Sequence, residues 1–136
     1  MRAAIQSYPP GQRGIDGGGF KVVTAELKGG SAYVYVMFES LRRGYVDDME
    51  FLLSAAPDGG GVCNVRTSSR LGYLDMGVNA KRLSWFADVL GALDGWSAKP
   101  IRSKGHEEYF ALNGVSDKEM AKVDAPMLTK TEKIKL

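Results

Sequence analysis

The chain has 136 residues, of which 44% are hydrophobic and 25% charged, and its 18 basic and 16 acidic side chains leave a formal net charge of +2. This composition indicates one globular domain and excludes a chain that is disordered or fibrous throughout. The near balance of charge argues against nucleic acid as the main partner, and the single cysteine excludes an internal disulfide. No apolar run reaches the roughly 20 residues that a membrane-spanning helix needs.

The first half of the chain predicts a short helix and two strands. Residues 1–6 are expected to be helical up to the prolines at 9 and 10, because a residue before proline is disfavoured in helical backbone. A glycine-rich loop follows. β-branched and aromatic residues then predict strands over 20–27 and 32–40, joined by a hairpin at Lys28-Gly29-Gly30.

The second half predicts two more strands and the main helix. The strands are expected over 45–53 and 62–70 with a proline- and glycine-containing turn between them. A helix over 78–93 follows, whose core stripe is Leu83, Phe86, Leu90 and Leu93. The expected fold class is therefore α+β: an antiparallel sheet of about four strands packed against one main C-terminal helix, with an extended C-terminal tail.

The predicted domain boundary lies just after this helix. Residues 1–96 are expected to form the single α+β domain, with a truncated opening helix. Residues 97–136 are expected to form a polar tail with one short helix, which begins at a capping box in which Ser116 and Glu119 satisfy each other's backbone donors.

Acidic and basic side chains concentrate on the third and fourth predicted strands. Strand alternation puts Asp48 and Glu50 on one face of the third strand, and Arg66, Ser68 and Arg70 on one face of the fourth. With the turn centred near residue 58, these faces coincide and predict charge-assisted bonds between the strands. A catalytic carboxylate pair is the alternative interpretation, but arginine beside each acid favours a structural role.

Further polar residues flank this cluster. Asp47 falls on the opposite face and is expected to anchor a neighbouring loop, while Asp75 and Asn79 bracket Gly77 and are expected to cap the turn into the helix. An alternative is a metal site, because a hard cation binds carboxylate oxygens. Its ligands would be Asp47, Asp48, Glu50 and Asp75. His106 is expected to be solvated. We predict no catalytic residue, metal ligand or cofactor.

Aromatic residues on the strands leave a second alternative open. One interpretation is a ligand cavity between sheet and helix that is closed by Trp85 and Trp96. Its lining would be Tyr33, Tyr35, Tyr45, Phe38 and Phe51. Aromatic residues at strand spacing more often form plain core.

The chain resembles a known family over GYVDDMEF (44–51) and VRTSSRLGYLDMGVNAKR (65–82). These segments are similar to the signature of the family catalogued as domain of unknown function number fourteen ninety-nine. Two flanking segments, SYPPGQRGIDGGGFKVV and KRLSWFADVL, resemble its cyanobacterial and plastid branch. The positions that match the signature are Asp47, Asp48, Glu50, Arg66, Ser68, Arg70, Asp75, Gly77, Asn79 and Arg82.

The resemblance implies an α+β domain and, through its branch, a photosynthetic organism and a plastid. It implies no catalytic residues. It ends near residue 96, so the tail is expected to be specific to this protein's lineage.

These observations together predict a non-catalytic accessory or assembly subunit, bound peripherally to a photosynthetic thylakoid membrane complex such as a photosystem in the chloroplast. The expected partners are protein subunits of that complex, with additional peripheral contact to the membrane and none to nucleic acid. The tail is expected to order on the partner, through Met127, Leu128, Lys130, Lys133, Ile134, Lys135 and Leu136. The alternatives are a small lipid- or pigment-binding protein and a metal-assisted hydrolase that uses the carboxylates of the cluster.

Overall fold

The computed structural model of the protein describes residues 1–126. These residues form two compact units. One unit is Pro10–Leu71, which we call the sheet unit, and the other joins Met1–Pro9 to the described chain from Gly72 onward, which we call the helical unit.

The sheet unit contains four antiparallel strands in the order β1-β2-β3-β4, after a short 3-10 turn at Gln12–Gly14. The strands are β1 Gly19–Lys28, β2 Ser31–Glu39, β3 Val46–Ala55 and β4 Gly61–Ser69. Each strand pairs with its neighbour in sequence, so the sheet is a meander. The predicted four-stranded antiparallel sheet and the α+β class are confirmed.

The two faces of the sheet differ in polarity. Val36, Phe38, Met49 and Phe51 lie fully buried on one face, where β2 and β3 pair Val36 with Met49. Asp47 is buried on this same face, as strand alternation predicts. The other face carries tyrosine, carboxylate and arginine side chains, which form the array described below.

The helical unit contains four helices: α1 Arg2–Gln6, α2 Val78–Gly91, α3 Glu107–Leu112 and α4 Asp117–Asp124. None of the helices within residues 1–126 is long and apolar enough to cross a membrane. The predicted main helix is confirmed as α2, although it ends at Gly91 rather than at residue 93.

The buried surface of α2 differs from the predicted stripe, since Leu83 is only partly buried and Leu93 is partly buried beyond the end of the helix. Phe86 and Leu90 are buried as expected, and Trp85 and Val89 are buried as well. Tyr8 stacks on Phe86 with ring centroids 5.4 Å apart and meets the edge of Trp85 at 4.9 Å. The aromatic cluster thus packs the segment after α1 onto α2.

Residues 97–126 contain two helices where the sequence predicted one. Phe110 of α3 and Val123 of α4 are fully buried in a cluster with Ala80 of α2 and Val115. The side chain of Ser84 donates to the carbonyl of Ile101 at 2.8 Å. This part of the predicted polar tail therefore contributes core to the helical unit.

One of the two hydrogen bonds of the predicted capping box is confirmed. Ser116 is the N-cap of α4, and its hydroxyl accepts the backbone N–H of Glu119. The Glu119 carboxylate, which the prediction directed back at Ser116, instead accepts from Lys81 at 3.1 Å and from Lys122 at 2.5 Å. The predicted partner-binding residues from Met127 to Leu136 lie outside the described residues.

Candidate functional site: a tyrosine-carboxylate-arginine array and an apolar patch

Two carboxylates of β3 are paired with arginines as the sequence predicted. In the β3–β4 register Glu50 faces Arg66 and Asp48 faces Ser68. Arg66 lies 3.3 Å from a Glu50 carboxylate oxygen, and Arg70 donates to Asp48 from Nε at 3.0 Å and from its terminal nitrogen at 2.9 Å. Two nitrogens of the Arg70 guanidinium thus bond the Asp48 carboxylate, and this bidentate pair holds both side chains in one geometry.

Two tyrosines of β2 complete a set of six side chains that we call the array: Tyr33, Tyr35, Asp48, Glu50, Arg66 and Arg70. Tyr33 donates its hydroxyl to Glu50 at 2.7 Å, and Tyr35 donates to Asp48 at 2.7 Å. Arg70 in turn donates to the Tyr35 hydroxyl at 2.7 Å. Tyr33 and Tyr35 lie on the face opposite Phe38 and Phe51, so they neither join that core, which the sequence favoured for these aromatics, nor line a cavity with those phenylalanines, which was the alternative.

The hydrogen bonds of the array move the pKa values of Asp48, Tyr33 and Tyr35 further from neutral pH. The hydrogen bonds from Arg70 lower the pKa of Asp48 against the opposing effect of desolvation, and the Tyr35 hydroxyl lowers it further. The same hydrogen bond to Asp48 raises the pKa of Tyr35, and the hydrogen bond to Glu50 raises the pKa of Tyr33. A general acid or base works best with a pKa near the working pH, so Asp48 and the tyrosines are tuned in the wrong direction for proton transfer.

A second cluster of signature residues lies at the start of α2. One carboxylate oxygen of Asp75 accepts the N–H of Gly77 at 2.8 Å, and the other accepts the N–H of Asn79 at 3.2 Å. Asp75 therefore satisfies a donor that the first turn of a helix leaves free, and the predicted capping role is confirmed. Tyr109 also donates to Asp75, at 2.9 Å, a long-range partner that no local pattern indicated.

The two basic residues of this cluster are buried. Arg82 is fully buried and donates to the Asn79 amide oxygen at 2.7 Å. Lys81 is also buried and binds Glu119 of α4. Lys81 thus links α2 to α4, whereas the bond from Arg82 to Asn79 lies within α2.

A family model described as "Protein of unknown function (DUF1499)" matches residues 2–90. The chain belongs to the DUF1499 family. The match includes every predicted signature position and ends before α3 and α4. No curated protein and no solved structure matches the chain.

The signature of this DUF1499 chain is divided between its two units. The array residues belong to the sheet unit, whereas the capping cluster from Asp75 to Arg82 belongs to the helical unit. In both places the polar side chains bond to one another and to backbone. Within each unit, the signature therefore describes contacts that hold the fold.

An apolar patch lies beside the capping cluster of the DUF1499 domain. The exposed fractions are 102% for Tyr73, 53% for Leu74, 62% for Met76 and 69% for Leu112. A β-carbon added at Gly114 would lie 3.3 Å from the Leu74 side chain, so the loop and the end of α3 are neighbours. The sequence signal for this patch was the run Tyr73-Leu74-Asp75-Met76, whose bulky residues match neither strand nor helix periodicity.

The four carboxylates of the alternative metal site, Asp47, Asp48, Glu50 and Asp75, do not form a metal-binding group. Asp47 and Asp48 point to opposite faces of β3, and Asp75 bonds to backbone at the start of α2. Residues 1–126 contain no group of three or more histidine, cysteine, aspartate or glutamate side chains that is arranged to hold a metal ion.

Two of the clefts in the described chain are small. One, of about 220 Å³, lies beside α2 and is lined by Ala87, Asp88, Gly91, Ala92 and Ala98. The other, of about 170 Å³, lies near the start of β1 between Phe20 and Val46. Both are smaller than the roughly 300 Å³ at which small-molecule pockets begin.

Proposed function

We propose that the protein is a non-catalytic accessory or assembly subunit that binds peripherally to a photosynthetic, thylakoid membrane protein complex such as a photosystem in the chloroplast. The observation that carries the proposal is the apolar patch of Tyr73, Leu74, Met76 and Leu112. A contiguous set of exposed large apolar residues marks an interaction site more often than a bare surface.

The composition of the patch fits a protein partner. Tyrosine and methionine are enriched at the cores of protein interfaces, where charged residues are depleted. Asp75, the acid within the loop, already accepts two backbone donors and the Tyr109 hydroxyl. A partner that covers the loop therefore meets apolar side chains without having to strip an unpaired carboxylate of water.

The array argues against the hydrolase alternative. Asp48 and Glu50 each accept from a tyrosine and an arginine. These contacts engage both oxygens of each carboxylate, and the lowered pKa of Asp48 makes it a weaker base.

A pigment or a lipid chain exceeds the volume of the two small clefts, so neither of them is its site. The photosynthetic setting itself comes from the resemblance of the flanking segments to the plastid branch, and the lysine-bearing tail supplies a second, still untested, contact with the partner or with the membrane surface.

Co-purification tests the proposal. Purified protein with an N-terminal affinity tag is incubated with thylakoid membranes in mild detergent, captured, and run on a native gel with mass spectrometry of the bands. Wild type is expected to migrate with a large complex. The double variant Tyr73→Ser/Met76→Ser is expected to lose it, because interface anchors of this kind contribute more than about 1 kcal/mol each.

The matched control is the double variant Leu27→Ser/Leu41→Ser, which removes two equally exposed apolar residues from the sheet unit. It should co-migrate as wild type does. A wild-type protein that never accompanies a thylakoid complex contradicts the proposal. Native mass spectrometry of protein from its source that shows a bound lipid or pigment would favour the second alternative.

A further inference from the structure

The two outer strands of the sheet are built differently. β1 has a register shift between Val22 and Thr24, and it carries several charged side chains. β4 pairs with β3 through nine consecutive residues, and its sequence GVCNVRTSS has one charge and no proline. Bulges and charges are how natural sheets protect an edge from added strands. By this measure β1 is protected and β4 is not.

The open edge of β4 can be located from the hydrogen-bond alternation. The Arg70 N–H donates to the Val46 carbonyl at 3.1 Å. In an antiparallel ladder the hydrogen-bonded pairs recur every second residue, so Arg66 and Asn64 bond to β3. The backbone groups of Cys63 and Val65 therefore point away from β3, at a stretch where the Val65 side chain is 40% exposed.

The side chains beside this edge determine what fits it. A strand added along residues 61–66 would place one row of side chains next to Cys63 and Val65 and the other row next to Asn64 and Arg66. The Arg66 side chain is 73% exposed and contacts Glu50 through one terminal nitrogen. A guanidinium has five donors, so Arg66 can bond a further carboxylate on its open side.

We propose that β4 binds an extended peptide in which acidic and apolar residues alternate, as a fifth strand of the sheet. The acidic row pairs with Arg66, the apolar row packs on Val65, and backbone bonds to Cys63 and Val65 supply affinity, as in other cases of strand addition. A second copy of this chain fits less well, because its own β4 has no acidic residue to set against Arg66. The proposal uses residues separate from the apolar patch and does not depend on the proposed function.

Fluorescence anisotropy tests the proposal with two labelled six-residue peptides, one of alternating valine and glutamate and one of alternating valine and lysine. The glutamate peptide is expected to bind wild type saturably and at least about tenfold more tightly than the lysine peptide. Val65→Pro removes an outward donor and leaves the β3 ladder intact, which an edge strand tolerates. It should weaken binding at least about tenfold.

Leu27→Pro is the matched control. Lys28 and Ser31 flank a two-residue turn and form a hydrogen-bonded pair, so the neighbouring Leu27 also points its N–H outward, but on β1. This variant should bind as wild type does. Arg66→Gln provides a check that needs no proline: it should abolish the preference for the glutamate peptide over the lysine peptide.

Circular dichroism confirms that each variant is folded before it is titrated. The proposal is overturned if the glutamate peptide does not bind wild type below about 1 mM, if folded Val65→Pro or Arg66→Gln behaves as wild type, or if Leu27→Pro loses binding. Sedimentation that shows a wild-type dimer without peptide binding would assign the edge to a second copy instead.

Discussion

Truncating Phe110 to alanine tests whether residues beyond 96 are part of the fold. Phe110 is fully buried in α3, and its ring meets the edge of Tyr109 with centroids 5.1 Å apart. Its neighbours Ala80, Val115 and Val123 come from three other segments, so the cavity cannot collapse by moving one of them. Phe to Ala in such a site costs about 3–5 kcal/mol, a large fraction of the stability of a small domain.

The assay is denaturant unfolding followed by tryptophan fluorescence, since Trp85 is buried in α2 and reports on the helical unit. The control is Leu112→Ala, two residues along the same helix and largely exposed, which should change the free energy of unfolding by less than about 0.5 kcal/mol. If the two variants unfold at the same denaturant concentration, α3 is an appendage and the packing described for residues 97–126 is refuted.

Two further predictions concern the array and the turn. Because the folded pKa of Asp48 is depressed, its stabilisation is present above the unfolded value near 3.9 and is lost as pH falls through the folded pKa. The urea midpoint of wild type should therefore fall below about pH 4, and that of Asp48→Asn, lower at neutral pH, should fall less. Gly77→Ala should lower the melting temperature more than Gly105→Ala: both backbones are left-handed, which costs about 1–2 kcal/mol, but only at Gly77 does a new β-carbon meet a neighbour, Val115 at 3.2 Å. Equal slopes for Asp48→Asn and wild type, or equal melting temperatures for the glycine variants, would contradict the respective arguments.

The β3–β4 half of the array was predictable because a short turn determines strand register. The observed pairs, such as Glu50 with Arg66, are centred on Asp58. Asp58 bonds the N–H of Gly60, and Gly59 adopts a left-handed backbone. Local residues thus set the register, and strand alternation then determines which side chains share a face.

The tyrosine half was missed because it depends on the β2–β3 register. The connection over residues 40–45 lacks the Pro-Asp-Gly turn signal found at residues 57–59, so the sequence does not indicate where that turn is centred. Alternation places Tyr33 and Tyr35 on the face opposite Phe38, but it does not show which residues of β3 lie beside them.

The core of residues 97–126 was missed for a different reason. Phe110, Val115 and Val123 lie in a segment rich in charged residues that is interrupted at Asn113-Gly114, so no single helical stripe links them. Their burial comes from packing on Ala80 of α2, a long-range effect that local sequence does not encode.

Cys63 gives the sheet a built-in reporter. Burial raises the pKa of its thiol, so the thiolate that reacts with alkylating reagents is scarce while β4 is in place. Local opening of the strand hydrates the thiol and speeds its modification. Because the chain has one cysteine, no competing thiol has to be subtracted, and an alkylation rate above that of the wild type reports more frequent opening of β4.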